Sequence, residues 1–361
     1  MKRIARSRHV LGAVLTVALA ASVAGAAYAA TTASTKSSLA TAPPHAATAS
    51  QWAKLVAAAK QEGSVTLYTS QNPLFLADTA KAFQARYGIT LTVNRNIDAV
   101  LTQQVATEEN SGKVNADVLV LASRPIVLAM QKPDKQWVVN AVGPDLYSKG
   151  YDRTVFGGPG KANIVGEAIL GMGWNTNLYS KPLTQLTDLL DPSLKGKIGV
   201  VQPSSPSLVD WYLWVEENYG KSFLPKLAAQ APKIYVSSLP MTQAVTSGEI
   251  TAGSFVATSA INLKQQGAPI DFTVPKGKGV PWNAPWWGMV LKGAPHPNAA
   301  QLLMDYLVTK EGQATSQQHL GVVLRGLPDT YYIKPRVQDL KALAPAQVTA
   351  FQNYWNGLFI H

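Results

Sequence analysis

The run Ala116–Ala122 (ADVLVLA) constrains the fold more than any other segment. It is apolar but for one aspartate, as suits a strand buried on both faces of a parallel sheet. Parallel strands need crossover connections, usually helical. The preceding residues supply them. Gln51–Gln61 reads as a helix capped by Ser50, with Trp52, Leu55, Val56 and Ala59 on one face and Gly63 as its stop. Val65–Tyr68 alternates as a short strand. Ala77–Tyr87 is a second helix, ended by Gly88, and Ile89–Val93 a second strand. Asp98–Asn110 is a third helix. This is the βαβ rhythm of an open α/β sheet.

A second block repeats the rhythm. Strands are expected at Ile198–Val201, Ile234–Val236, Ala252–Val256 and Ile270–Val274. Helices are expected at Leu208–Tyr219 (started by Ser207), Met241–Thr246 and Ser259–Gln266. Two extended runs flank this block, Ala168–Trp174 (AILGMGW) and Trp287–Leu291 (WGMVL). They suggest a double crossing of the chain between two lobes. The last third reads as helical, over Asn298–Gln318 and Val337–Trp355.

The N-terminus obeys another grammar. Lys2, Arg3, Arg6 and Arg8 precede an apolar run over Val10–Ala24 and a small-x-small site at Ala27-Tyr28-Ala29. That is the pattern of a cleaved secretory signal peptide. Residues 31–50 are mostly Thr, Ser, Ala and Pro and read as a flexible leader. The 361 residues contain no cysteine, so neither disulfides nor a lipid-anchored cysteine is expected. The formal charge of +11 includes four positives in the signal, leaving +7 and an attraction to anions. The basic residues are scattered, which argues against nucleic acid.

Nothing in the sequence announces catalysis. There is no G-x-S-x-G, H-E-x-x-H or phosphate-loop motif. His45, His296, His319 and His361 lack metal-ligand spacing. A secreted hydrolase with a dispersed triad is the rival class, and the expectation is that the chain is not an enzyme.

Five stretches, in order, resemble the ferric-ion-type extracellular solute-binding proteins of ABC transporters, a branch of the type II periplasmic binding proteins. They are WAKLVAAAKQEGSVTLYTSQ (Trp52–Gln71), NADVLVLAS (Asn115–Ser123), GMGWNTNLY (Gly171–Tyr179), LTDLLDPSLKGKIGVVQP (Leu186–Pro203) and GAPHPNAAQLLMDYLVTKEGQ (Gly293–Gln313). The resemblance implies a two-lobed α/β fold with a hinge, an interlobe cleft, and delivery of a small molecule to an ABC permease. On it the chain divides into a signal peptide (1–29), a leader (30–50) and lobe I (51–165, with a return segment within about 280–315). Lobe II comes next (166–279), then the return crossover and shared C-terminal helices (280–361). A periplasmic or secreted monomer without cofactor or metal is expected. Ferric binders of this family carry a Tyr-Tyr pair shortly after a Gly-Glu. Here Gly248-Glu249 leads instead to Val256, Ala257, Thr258 and Ser259. The expected ligand is therefore a small polar, anionic organic molecule, with ferric iron held without the pair as the alternative.

In open α/β sheets ligands bind beyond the carboxyl ends of strands. That rule selects Ser70 and Gln71 after the first strand, Ser123 and Arg124 after ADVLVLA, and Ser204 and Ser205 after KIGVV. The last two groups precede helix N-termini, which suit anions. Trp211 on the following helix and Trp286 and Trp287 near the crossing are candidate walls. Thr258 is a candidate only through its place near the missing tyrosines.

Overall fold

The structure, a computed structural model, describes residues 45–279 and 281–360. The expected signal peptide and most of the leader lie outside these residues. The leader is shorter than expected. Ala47 is buried, its N–H donates to Val142 O (2.9 Å), and α1 (Ala49–Glu62) already begins at Ala49. Thr48, not Ser50, is the cap. Its hydroxyl accepts from Gln51 N–H, and the Gln51 side chain accepts from Thr48 N–H, a reciprocal box that fixes the helix start.

The next elements keep the expected order: β1 (Ser64–Thr69), α2 (Pro73–Tyr87), β2 (Thr90–Arg95), α3 (Asp98–Ser111) and β3 (Val118–Leu121). α2 starts earlier than its apolar stripe suggests. Asn72 accepts from Leu74 N–H (3.0 Å) and Pro73 opens the first turn, where a missing N–H costs nothing. Short elements come after, α4 (Arg124–Ala129), β4 (Val138–Val139) and α5 (Arg153–Phe156). The long strand β5 (Asn163–Asn175) then leads to β6 (Ile198–Val201), α6 (Pro206–Tyr219), α7 (Phe223–Ala228), β7 (Lys233–Tyr235), α8 (Ser238–Ser247), β8 (Ala252–Ala257), α9 (Ser259–Gln265) and β9 (Ile270–Thr273). The return strand β10 (Asn283–Leu291) precedes α10 (Pro297–Tyr306), α11 (Lys310–Ser316) and α12 (Pro345–Phe359).

The strand order is β2-β1-β3-β10-β5-β8-β6-β7, with β4 on β10 and β9 on β5. β1 pairs in parallel with β2 and β3, and β6 with β7 and β8. Each parallel trio is one βαβ half. β5 joins them: its first residues pair antiparallel with β10, its last with β8 and β9. The sequence suggests two lobes linked by a double crossing of the chain. The ladder runs unbroken through β5, because the crossing strand is long enough to serve both halves. The glycines of AILGMGW allow this. A Cβ on Gly171 would lie 2.2 Å from Thr273 O, and one on Gly173 2.8 Å from Val256 Cγ1. The register shifts between these two glycines, and again between Pro285 and Trp287 on β10. Such irregularities bend a strand, and a bulge tolerates the proline's missing N–H.

Two helical expectations change. The helical stretch over Asn298–Gln318 is two helices, α10 and α11. Thr309 turns extended and accepts from Gly312 N–H (3.0 Å), capping a new helix. Gly312 packs so tightly that a Cβ there would meet Tyr306 O at 1.9 Å. The helix over Val337–Trp355 begins only at Pro345, because proline biases the preceding Ala344 to an extended ψ of 149°. Among the described residues no helix is long and apolar enough to cross a membrane.

Candidate functional site

The carboxyl ends of the two parallel trios face a common cleft of about 110 Å³. One wall comes from the loops after β1 and β2, with Ser70, Asn72, Arg95 and Asp98. The other comes from the loops after β6, β7 and β8, with Ser205, Ser207, Ser237, Ser238 and Thr258. Ala168, Ile169 and Leu170 of β5, with Ala284 and Trp286 of β10, lie between the walls. Phe75, Ile169 and Leu320 form a small apolar cluster at the site, separate from the main core.

Asp98 organises the first wall. It is 4% exposed and accepts from Ala122 N–H (3.1 Å), Ser123 N–H (2.9 Å) and the Ser70 hydroxyl. Burial pushes its carboxyl upward, against the lowering pull of these donors. Arg95 ends β2 beside it. Its guanidinium takes part in no ion pair or hydrogen bond among the described residues, and its buried Nε has no acceptor. Burial lowers its pKa, with Asp98 opposing through space. A half-buried guanidinium without an acceptor is costly unless something else supplies one.

The second wall carries hydroxyls and helix N-termini rather than charge. Ser205 caps α6, and its Oγ lies 2.9 Å from Ser207 Oγ. Ser237 precedes α8 without using its side chain as a cap, and Ser238 and Leu239 in the first turn also line the cleft. Orphan N–H groups at such helix starts favour anions. Behind the hydroxyls stands an aromatic stack. Phe255 and Trp282 line the cleft, with ring centroids 5.6 Å apart, and Trp211 packs on both. Trp282 donates from Nε1 to Asp210 (3.0 Å), which also holds Arg336. The two walls already touch: Ser123 Oγ donates to Ser207 Oγ (3.3 Å). The arrangement offers a cation, hydroxyls and backbone N–H groups around an apolar and aromatic lining. That suits a small organic molecule with an anionic group.

Residues 65–320 match the model of the bacterial extracellular solute-binding protein family. The chain belongs to this family. An uncharacterized protein of Haemophilus influenzae is 27% identical over 275 residues, 71% of this chain and 75% of that protein. Among solved structures, AfuA from Actinobacillus pleuropneumoniae, with exogenous fructose-6-phosphate bound, is 21% identical. It superposes at a TM-score of 0.65 over 82% of this chain and 98% of its own. Iron-bound HitA from Pseudomonas aeruginosa is 20% identical, at a TM-score of 0.61 over 81% and 99%. The substrate-binding protein of an ABC transporter from Agrobacterium tumefaciens is 14% identical, at 0.68 over 84% and 97%. The fold is thus the two-lobed type II periplasmic-binding fold. As a member of the extracellular solute-binding protein family the chain is a binding protein, not an enzyme.

In this solute-binding protein four of the sequence candidates line the cleft: Ser70, Ser205, Thr258 and Trp286. The other six do not. Gln71 is turned back, its Oε1 accepting from Thr69 Oγ1 (3.2 Å). Ser123 is fully buried one layer behind, tied to Asp98 and Ser207. Arg124 donates from its backbone N–H (2.8 Å) and from Nη1 (3.3 Å) to Gln338, on the C-terminal segment. Ser204 lies off the cleft, with a buried hydroxyl that has no partner. Trp211 stacks on Trp214, centroids 5.3 Å apart, behind Phe255 and Trp282. Trp287, in register with Leu121 and Ile164, is buried and does not line the cleft. The strand-end rule, applied also to β2 and β7, would have found Arg95, Asp98, Ser237 and Ser238. Phe75, Phe255 and Trp282 carry no such signal.

The structure also assembles a dispersed Ser-His-Asp chain that no motif shows. Ser64 Oγ lies 2.9 Å from His296 Nε2, and His296 Nδ1 3.0 Å from Asp117 Oδ2. Asp117 also accepts from Thr66 N–H (2.7 Å) and His296 N–H (2.6 Å). The group ties the start of α10 to β1 and β3. None of its members lines the cleft.

Proposed function

We propose that this protein captures a small organic anion between its lobes and delivers it to an ABC permease in the membrane. Arg95 carries this reading: a half-buried guanidinium without an acceptor, across the cleft from Ser205, Ser207, Ser237 and Ser238 and the uncapped start of α8. The anionic group of the ligand supplies the missing acceptor. Phe255, Trp282 and Trp286 cover the organic body. A phosphate, phosphonate, sulfonate or carboxylate fits this set, and AfuA, which binds a sugar phosphate, shares the fold. Ferric ion fits it less well. It requires several anionic oxygen donors. The cleft carboxylate, Asp98, is already occupied by three donors, and Thr258 stands near the place of the family's tyrosines. On this reading residues 1–29 are a signal peptide removed on export to the periplasm or beyond, and the mature protein works as a monomer. Lobe I spans 51–165 with its return segment near 280–315, lobe II spans 166–279, and residues 280–361 hold the return crossover and C-terminal helices.

A melting screen with fructose-6-phosphate, small phosphonates, sulfonates, carboxylates and ferric citrate tests the reading. A ligand at about 100 times its Kd adds about 2.7 kcal/mol to the folded state. One class of organic anion is expected to raise Tm, with Arg95→Gln weakening its binding about a hundredfold, the scale of a lost charge-assisted pair. Stabilisation by ferric ion alone, equal in wild type and Arg95→Gln, would overturn it.

A further inference from the structure

A second cavity lies away from the cleft and shares no residue with it. It is about 590 Å³ and is built from the turn and short helix around Tyr147–Arg153, the start of α11, and the segment Leu324–Tyr332. Its lining carries Lys149, Arg153, Lys310 and Arg325, and an adjoining depression adds Lys334. The carboxylate on this lining, Asp152, accepts from Thr154 N–H (2.9 Å) and Thr154 Oγ1 (2.6 Å) and is attracted through space by Arg325, so it offsets part of the positive charge. Among the described residues none of the five cations joins an ion pair.

Two of the cations are held in place. The Arg153 guanidinium sits 4.3 Å from the centroid of the Tyr147 ring, and that of Arg325 sits 4.0 Å from Tyr332. A guanidinium lying on a ring keeps its N–H edge free for oxygens in its own plane. Arg153 spends part of that edge on Leu146 O (3.3 Å) and Asn163 Oδ1 (3.4 Å); Arg325 spends none. Like charges collected around a void repel, and within about 10 Å the repulsion escapes most screening at ordinary salt. A ligand with several negative charges close together relieves all of them at once.

We propose that this cavity is a second anion site, for a phosphate-bearing ligand with at least two neighbouring negative charges. Lys149, Lys310 and Arg325 are its principal contacts. The site is independent of the cleft and of the ligand proposed there.

Inorganic pyrophosphate is the probe, titrated calorimetrically at low ionic strength into the full-length mature protein. The Arg95→Gln protein is titrated in parallel, to remove the cation of the cleft. Pyrophosphate is expected to bind both. Lys149→Gln/Lys310→Gln/Arg325→Gln, added to either, should weaken that binding tenfold or more, the order expected for losing charge-assisted contacts. Should the triple variant fail to fold, Lys310→Gln and Arg325→Gln alone carry the test, each expected to cost about threefold. Vesicles of phosphatidylcholine with and without cardiolipin, whose headgroup carries two phosphates, separate the two sources of phosphate. Retention only on the anionic vesicles, lost in the triple variant, assigns the site to a lipid headgroup. Pyrophosphate binding without retention assigns it to a soluble ligand. Absence of both, binding that survives the triple substitution, or binding that disappears with Arg95→Gln alone overturns the proposal.

Discussion

Arg95 and Asp98 stand on one wall of the cleft; Ser205, Ser207, Ser237, Ser238 and Thr258 stand on the other. Both walls are the carboxyl ends of parallel βαβ units, yet the first concentrates ionisable groups and the second concentrates hydroxyls and aromatic rings. The difference lies in the residues through which the chain leaves each strand. After β2 the chain carries a guanidinium and enters α3 at Asp98, whose carboxylate gathers donors from two neighbouring loops. After β6 and β7 the chain enters helices through serines; those at α6 take up its first N–H groups, while Ser237 leaves the first N–H groups of α8 uncapped. One wall therefore supplies a fixed charge and the other a neutral, polarisable surface.

The largest expected break in this comparison is Asp98→Ala. It leaves two buried backbone N–H groups and the Ser70 hydroxyl without their acceptor, at about 3 kcal/mol of stability in total. Chemical denaturation measures that loss, and ligand titration should show the first wall failing. An unchanged denaturation midpoint would mean that Asp98 does not hold the wall together.

A second prediction concerns the strand between the walls. Glu167 of β5 is fully buried with both carboxylate oxygens unpartnered, and burial pushes its pKa up to about 9. The unfolded chain loses this proton near 4.5. The folded-state pKa is the raised one, so the group's stabilising contribution is whole below about 4.5 and is lost as pH rises towards about 9. Glu167→Gln should therefore gain on wild type with rising pH, by a few kcal/mol between about pH 5 and 8.5. Urea midpoints at about pH 5, 7 and 8.5 check it. A constant gap between the two proteins contradicts the assignment.

The smallest effect belongs to the hydroxyl wall. Ser205→Ala with Ser207→Ala removes a cap and the contact to Ser123, at about 1 kcal/mol of stability. Ligand affinity should fall about tenfold, less than for Arg95→Gln, because neutral hydrogen bonds are weaker than charge-assisted ones. A loss equal to that of Arg95→Gln would erase the distinction between the walls.

Much of the architecture was legible in the sequence. Ile198–Val201 was read to the residue, because an apolar run between Lys-Gly-Lys and Gln-Pro has sharp edges. The glycines of AILGMGW marked the crossing because only a residue without Cβ tolerates the approach of β8 and β9. The C-terminal helix was read too long, since the apolar pattern before Pro345 carries no sign that proline resets the backbone there. Ser70 and Ser205 were found by strand-end position, a property of the chain's local order. Arg124 obeyed the same rule but turned to Gln338, more than two hundred residues on.

By itself the sequence determined most of the longer strands and helices, though not the short α4, β4, α5 and α7, and that their alternation makes two α/β halves joined by a crossing. These rest on periodicity, caps and glycines, which act over a few residues. Only the tertiary structure decided which of two adjacent tryptophans lines the cleft, that Arg95 is left without a hydrogen-bond acceptor, and that Ser64, His296 and Asp117 meet. The reason is that pairing and burial of a side chain depend on neighbours brought close by the whole fold, and no local pattern encodes them.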